Sequence, residues 1–365
     1  MERGRPNRGV RAVGRRPTIH DVARSAAVSP ATVSNVLTGR RHVDPELAER
    51  VRQTVERLGY RRDIAASALR SMQRTVVGAV VPELGNPFFA EMVDRLEREA
   101  RQADRRLLVA TSGGDPVEEQ RQIEALIAWR PAGAIVVPSA GVFPARASLE
   151  REGIPFVILD RPLDDGPDCD TVAVDNVAAA REGTARLLAA GHRQILLVAS
   201  SIAIGNIRER VAGVHAALSG TTDARIELIE AGFAHDDIAQ ALTQRLARRP
   251  LPSVIFTLNN VLTLGALKSA TAVGLVIPDQ ISLLGFDDYD WMEVFQPPLC
   301  AIRQPVAEMA HAAWVRLAEL IGAAPMAETT LCHARLPCRL VWRDSVATVR
   351  ASASAEHPLA EVLPL

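Results

Sequence analysis

Residues 18–41 read TIHDVARSAAVSPATVSNVLTGRR, and this stretch decides what the N-terminal part of the chain is. Thr18 stands three positions before Asp21, so a hydroxyl N-cap is backed by an acid that can reach the free first-turn amides. Ile19, Val22 and Ala23 then give a short apolar face at helical spacing. Ala26-Ala27-Val28 interrupts that helix, and Ser29-Pro30 starts another, with Ser29 as N-cap and Pro30 at the first helical position. The second helix points Val33, Val36 and Leu37 inward and Pro30, Ala31, Thr32, Ser34 and Asn35 outward. Two short helices around a tight turn, the second carrying small polar residues, predict a helix-turn-helix.

Asp44-Pro45 opens a third helix that runs to about Leu58, with Leu47, Val51, Val55 and Leu58 as its apolar stripe and Gly59 as its stop. Charge follows this division. Residues 1–74 hold 16 Arg and seven acidic residues, a net of +9; the whole chain is −1, so the remainder carries −10. A basic head on an acidic body predicts a polyanion partner for the head alone. The motif Thr18-Ile19-x-Asp21-Val22-Ala23, followed by Val28-Ser29-x-x-Thr32-Val33-Ser34-x-Val36-Leu37, resembles the headpiece of the lactose-repressor (LacI/GalR) family of bacterial transcription factors. The resemblance implies that Pro30, Ala31 and Asn35 read bases. Asn35 is able to pair bidentately with adenine, while Pro30 and Ala31 make apolar contacts. Thr18, Ser29, Thr32 and Ser34, with Arg40 and Arg41, would set the helix on phosphates.

Residues 63–74 correspond in that family to a hinge helix that orders over the operator, with Leu69 at the position of a leucine wedged into the minor groove. The chain departs from the family pattern here. Arg62-Asp63 stand where Pro-Asn is usual, and Ser67 where Arg is usual.

From Thr75 onward short apolar runs alternate with helix-length amphipathic segments. Strands are expected at 76–81, 107–110, 133–137, 155–159 and 171–174, then at 194–199, 226–230, 253–257 and 281–285. Runs buried on both faces imply parallel sheets. The expected fold is an all-α helix-turn-helix headpiece followed by an α/β two-lobed core of the periplasmic-binding-protein kind. The boundaries expected are a disordered basic arm at 1–16, the headpiece at 17–62, the hinge at 63–74 and an effector-binding and dimerisation domain at 75–345. Within that domain the resemblance puts the N-lobe at 75–174 and 306–333 and the C-lobe at 175–303 and 334–345. The tail, 346–365, is rich in Ala, Ser and Pro, is expected to be flexible, and has no heptads for a tetramer, so a homodimer is expected.

Ligands of open α/β sheets bind beyond the carboxyl ends of the strands. The polar and aromatic residues there are Asn86, Phe88, Phe89, Asp160, Arg210, Phe233, Asn259 and Asp287, with Gln304 on the second crossover. Carboxylates, a guanidinium, amides and aromatic platforms suit a polyhydroxylated effector, a sugar or sugar acid. The resemblance assigns effector contacts to Arg210, Asn259, Asp287 and Gln304, and aromatic positions near the effector to Phe88 and Phe89. Asn260 departs, since the family often has Asp there. The same cleft serves inducer or corepressor, in a repressor or an activator.

The four cysteines have no metal-ligand spacing, no apolar run reaches a membrane span, and the basic start lacks the apolar region of a secretory signal. No P-loop, Gly-x-Gly-x-x-Gly or Gly-x-Ser-x-Gly is present, and Asp287-Asp288 are adjacent rather than facing. These features predict a cytoplasmic regulator of double-stranded DNA with no catalytic residues, metal or cofactor. The alternative is a cytosolic sugar-binding protein of the same fold without operator specificity.

Overall fold

The structure, a computed structural model, describes residues 17–38, 42–60, 75–164, 168–323 and 330–349. It divides into two compact units, Met1–Gln73 and Arg74–Leu365. The arm at 1–16, Arg40, Arg41, the hinge at 63–74 with Leu69, and the tail beyond 349 lie outside the described residues.

The first unit is built from α1 (Ile19–Ser25), α2 (Pro30–Thr38) and α3 (Pro45–Leu58). Thr18 and Asp21 form a reciprocal capping box on α1. Asp44 caps α3, which stops at Gly59 in the left-handed conformation. Val22, Ala23, Ala26, Val33 and Val51 are buried together, and Ile19, Val28, Val36, Leu37, Val55 and Leu58 pack around them. Arg57 donates to Ser25 Oγ at 2.7 Å, which ties α3 to α1.

The second unit runs as β1 (Val76–Val81), α4 (Pro87–Gln102), β2 (Arg106–Thr111), α5 (Pro116–Ala128), β3 (Gly133–Val136), α6 (Arg146–Arg151), β4 (Phe156–Leu159) and β5 (Thr171–Val174). It continues as α7 (Asn176–Ala189), β6 (Gln194–Ala199), α8 (Gly205–Leu218), β7 (Arg225–Glu230), α9 (His235–Leu246), β8 (Val254–Thr257), α10 (Asn260–Ala272) and β9 (Ser282–Phe286). The last elements are α11 (Asp290–Val294), β10 (Cys300–Arg303), α12 (Val306–Gly322), β11 (His333–Leu336) and β12 (Arg339–Val341).

Two six-stranded sheets result, ordered β11-β5-β4-β3-β1-β2 and β12-β10-β9-β8-β6-β7. The orders correspond strand for strand, so the two lobes are structural repeats of each other. Alternation within each strand sends successive side chains to opposite layers. Val77 and Val81 pack with Phe88, Met92 and Leu96 of α4 and with Met309, Ala313 and Trp314 of α12. Val80 faces the other way, toward Ile123 and Leu126 of α5. In the second lobe α7 and α8 cover one face and α9 and α10 the other.

The structure corrects several expectations. β10, β11 and β12 are strands beyond those expected, and β12 pairs antiparallel with β10 in an otherwise parallel sheet. β11 pairs with β5, so the third crossing between lobes falls at residues 337–338 rather than near 333. Its residues alternate between exposed and half-buried at a sheet edge, which leaves a weak apolar signal. No helix joins β4 to β5 among the described residues.

Residues 346–349 are not a loose tail. Val346 is buried, His192 Nε2 donates to the Ala347 carbonyl at 3.0 Å, and Val349 N–H donates to the Ala190 carbonyl at 2.8 Å. Four residues are too few to show periodicity, and partners distant in sequence hold them.

Candidate functional site

Each parallel strand of the second unit delivers its following residue to the same end of its sheet, and the two sheets present those ends to one cleft between the lobes. Asn86 follows β1, Asp160 and Arg161 follow β4, Gly232 and Phe233 follow β7, Asn259 follows β8, Asp287 follows β9 and Gln304 follows β10. Arg210 and Asn206 reach the cleft from the first turns of α8. All nine effector-site residues singled out in the sequence line this cleft. The cleft is narrow here, with a cavity volume of about 70 Å³.

Asp160 and Asp287 occupy corresponding positions, at the ends of the third strand in each sheet order. Both adopt the left-handed conformation, φ 67° and 70°, which costs a non-glycine residue energy and is found where surroundings impose it. Arg210 lies near both. Arg210 is 2% exposed as a whole, and its guanidinium donates from Nε to Asn176 Oδ1 at 2.8 Å and from Nη1 to the Leu258 carbonyl at 2.6 Å and stacks 3.6 Å from the Phe286 ring centre. Arg161 lies over Phe89, which meets Phe88 edge to face. Phe88 and Phe89 are buried, whereas Phe233 stands 60% exposed at the cleft mouth.

The lobes touch through amides. Asn206 Nδ2 donates to Asp160 Oδ2 at 3.0 Å, and Asn260 Nδ2 donates to Asn86 Oδ1 at 2.8 Å and lies 2.9 Å from the Tyr289 hydroxyl. Asn86 Oδ1 also caps α4 by accepting from Phe88 N–H. Gln304 Nε2 donates to Asp287 Oδ1 at 2.6 Å, and Asn260 N–H donates to Asp287 Oδ2. Asn259 turns its side chain to cap α10 by accepting from Leu262 N–H. Asp288 faces away, its buried carboxylate held by Arg303 and Arg343. Asn206 and Tyr289 do not directly follow a strand, and the sequence reading misses them. Asn206 carried a usable signal, since it lies one helical turn before Arg210.

Burial pushes the Asp160 and Asp287 carboxyls up from the usual aspartate range, against the opposing pull of Arg210 on both. A carboxyl raised in the folded state binds its proton more tightly there than in the unfolded chain. Stability from these groups therefore falls as pH rises from the ordinary aspartate value through the raised ones, by about 1.4 kcal/mol for each pKa unit of elevation. Asp160→Asn removes one such titration. Its thermal midpoint should decline less steeply than that of the parent as pH rises above the ordinary aspartate range; parallel curves would show that Asp160 is not raised.

In the headpiece, Pro30 and Ala31 are exposed on the outer face of α2, and Thr32, Ser34 and Asn35 are half-buried beside them. Thr32 N–H donates to Ser29 Oγ at 3.1 Å, and the two hydroxyls lie 2.9 Å apart. Thr18 is held in its capping box. Pro30, Ala31, Thr32, Ser34 and Asn35 thus share the outer side of α2, with Ser29 at its start, whereas Thr18 belongs to α1.

Among the described residues no group of His, Cys, Asp and Glu could hold a metal ion, and no helix is long and apolar enough to cross a membrane.

Residues 18–63 match the family model described as bacterial regulatory proteins, lacI family, and residues 74–341 match that for periplasmic binding proteins and the sugar binding domain of the LacI family. The chain is 34% identical to the HTH-type transcriptional regulator GalS of Salmonella typhimurium over 332 residues, covering 90% of this chain and 96% of the relative. It superposes on the lac repressor dimer bound to operator and the anti-inducer ONPF with a TM-score of 0.78 and 25% identity, covering 91% of this chain and all of that one. A LacI family regulator from Enterococcus faecium with bound ribose gives a TM-score of 0.67 and 25% identity, covering 75% of this chain and all of that one.

Proposed function

Because the chain belongs to the LacI family, and is accordingly a DNA-binding transcriptional regulator rather than an enzyme, we propose that it works in the cytoplasm as a dimeric repressor controlled by a sugar or sugar acid. The observation that supports this most directly is the meeting of strand ends from both lobes around one polar, aromatic-walled cleft. The relatives give the ligand class its plausibility: one solved neighbour carries ribose, and another pairs an operator with an anti-inducer. Asp160, Arg210, Asn259, Asp287 and Gln304 would meet hydroxyls, with Asn86 at the base of α4 and Phe88, Phe89 and Phe233 as apolar walls.

An effector between the lobes would fix their closure, and coupling to DNA must be reciprocal: whatever factor the effector takes from operator affinity, operator takes from effector affinity. Two-fold symmetry of a dimer calls for a pseudo-palindromic operator. Leu69 would wedge the central step, and Arg40 and Arg41 would join Thr18, Ser29, Thr32 and Ser34 on phosphates.

Selection of duplexes from a random pool, at one stated salt concentration, tests this reading. It should recover a two-fold-symmetric motif with a pyrimidine–purine centre. Failure to recover any motif, with or without a panel of sugars, would leave a sugar-binding protein of the same fold. Within a recovered motif, Asn35→Ala should relax preference at one base pair per half-site by about 1–3 kcal/mol. A loss spread evenly over all sequences would remove Asn35 from base reading.

A further inference from the structure

Two ion pairs join the lobes outside the cleft. Asn206 and Arg210 of α8 face the cleft, while Gly205, Arg208 and Glu209 lie on another side of that helix, against a groove of about 660 Å³. Across this groove stand Asp164, which follows β4, and Arg335 of β11, both in the first lobe. Arg208 Nη2 donates to the Asp164 carboxylate. Arg335 grips Glu209 with two bonds, Nη2 to Oε1 at 2.9 Å and Nη1 to Oε2 at 3.1 Å. The cation thus sits on the second lobe in one pair and on the first lobe in the other. Arg208 and Asp164 are also aimed from behind, since Arg208 Nη1 donates to the Ile202 carbonyl at 3.2 Å and Asp164 N–H donates to the Gly141 carbonyl at 2.7 Å. Glu209 Oε2 accepts in addition from Asn176 Nδ2 at 2.8 Å, and Asn176 Oδ1 accepts from Arg210 Nε. A continuous line of bonds therefore runs from Arg335 on the first lobe, through Glu209 and Asn176, to the buried Arg210.

We propose that these two pairs are a latch: the chain's own charges draw the lobes together, ionic strength sets how far the population is closed, and Glu209 positions Arg210 through Asn176. Nothing in this depends on what the cleft binds. The four charged groups are partly exposed, over a groove that water and dissolved ions enter, so salt weakens their attraction. The amide bond from Asn260 to Asn86 inside the cleft is neutral and lacks that dependence. A two-pronged guanidinium–carboxylate contact fixes direction as well as distance. Glu209 is therefore held in one orientation while the lobes are closed. Parting of the lobes takes Arg335 away, and Glu209 no longer fixes the Asn176 amide that receives Arg210.

Single-molecule energy transfer in the full-length protein tests the latch. Dyes go on the exposed Gln102, at the outer end of α4, and on the exposed Lys268 of α10, with labelled chains diluted into unlabelled ones. Raising salt from about 0.1 M to about 1 M shortens the screening length from about 10 Å to about 3 Å and should move molecules from the closed to the open distance. Arg208→Ala and Arg335→Ala should each lower the closed-to-open ratio about two- to fivefold at the lower salt. Exchanged charges separate the latch from a folding defect: Arg208→Asp alone should open the lobes, and Arg208→Asp together with Asp164→Arg should close them again. A distribution indifferent to salt and to both alanine variants overturns the proposal, and so does an exchanged pair that stays open. The Arg210 Nε–H resonance reads the inner end of the line. It should move in Glu209→Ala and hold still in Arg208→Ala; no movement in Glu209→Ala would strike Glu209 as a positioning residue.

Discussion

Replacing Arg210 by alanine is expected to destabilise the two-lobed domain by about 3–5 kcal/mol and to end its response to effector. The guanidinium is nearly inaccessible, and three groups depend on it: the Asn176 side-chain oxygen, the Leu258 carbonyl and the Phe286 ring. It is also the first-ranking influence opposing the desolvation of both Asp160 and Asp287. Truncation leaves Asp160 with the Arg161 cation, takes from Asp287 the Arg210 charge that opposes its desolvation, and frees acceptors that water does not readily reach. Denaturant unfolding monitored with and without effector would give both quantities. Arg210→Lys keeps the charge but loses the planar fork, so it should recover part of the stability and little of the response. An alanine variant with unchanged stability would mean that both carboxylates are protonated in the resting protein and need no cation.

The second large effect concerns closure. Gly205 opens α8 in the C-lobe, and a Cβ placed there would lie 2.3 Å from the backbone oxygen of Pro162, which follows β4 in the N-lobe. Backbone has little freedom to yield, so Gly205→Ala should hold the lobes apart. Overpacking of this kind costs about 1–3 kcal/mol, which read as lost closure is about 5- to 150-fold in effector affinity. Calorimetry with the tightest sugar would measure it, alongside unfolding of the ligand-free variant. Undiminished affinity would show that the Pro162 loop moves aside at no cost.

Much of this arrangement was legible in the chain because βα alternation tells which residue follows each strand. Val76–Val81, Thr171–Val174 and Gln194–Ala199 fall where their apolar runs place them. The strand-end residues, from Asn86 to Gln304, therefore share one cleft without any knowledge of how the lobes pair. What escaped was set by partners remote in sequence. Asn260 looked like a departure from a family pattern, and its role across the cleft depends on Asn86, 174 residues away. β11 and β12 are short edge strands beside Pro337, with too little apolar alternation to stand out. The segment at 346–349 is held by His192 and Ala190, and nothing within four residues announces that.

The three crossings between lobes bear on how the protein is made. α12 supplies Met309, Ala313 and Trp314 to the core of the first lobe, and β11 closes the edge of its sheet. β12 and Ser345 do the same for the second lobe, Ser345 by bonding both Cys300 N–H and the Leu283 carbonyl. Synthesis from the N-terminus thus leaves both lobes unfinished until nearly the whole chain has left the ribosome. One face of the first sheet stays bare of α12 while some 130 residues of the second lobe emerge, an exposed apolar surface of the kind that recruits chaperones. The two lobes must then mature almost together, and a nascent chain that stops short of β11 should yield neither one complete.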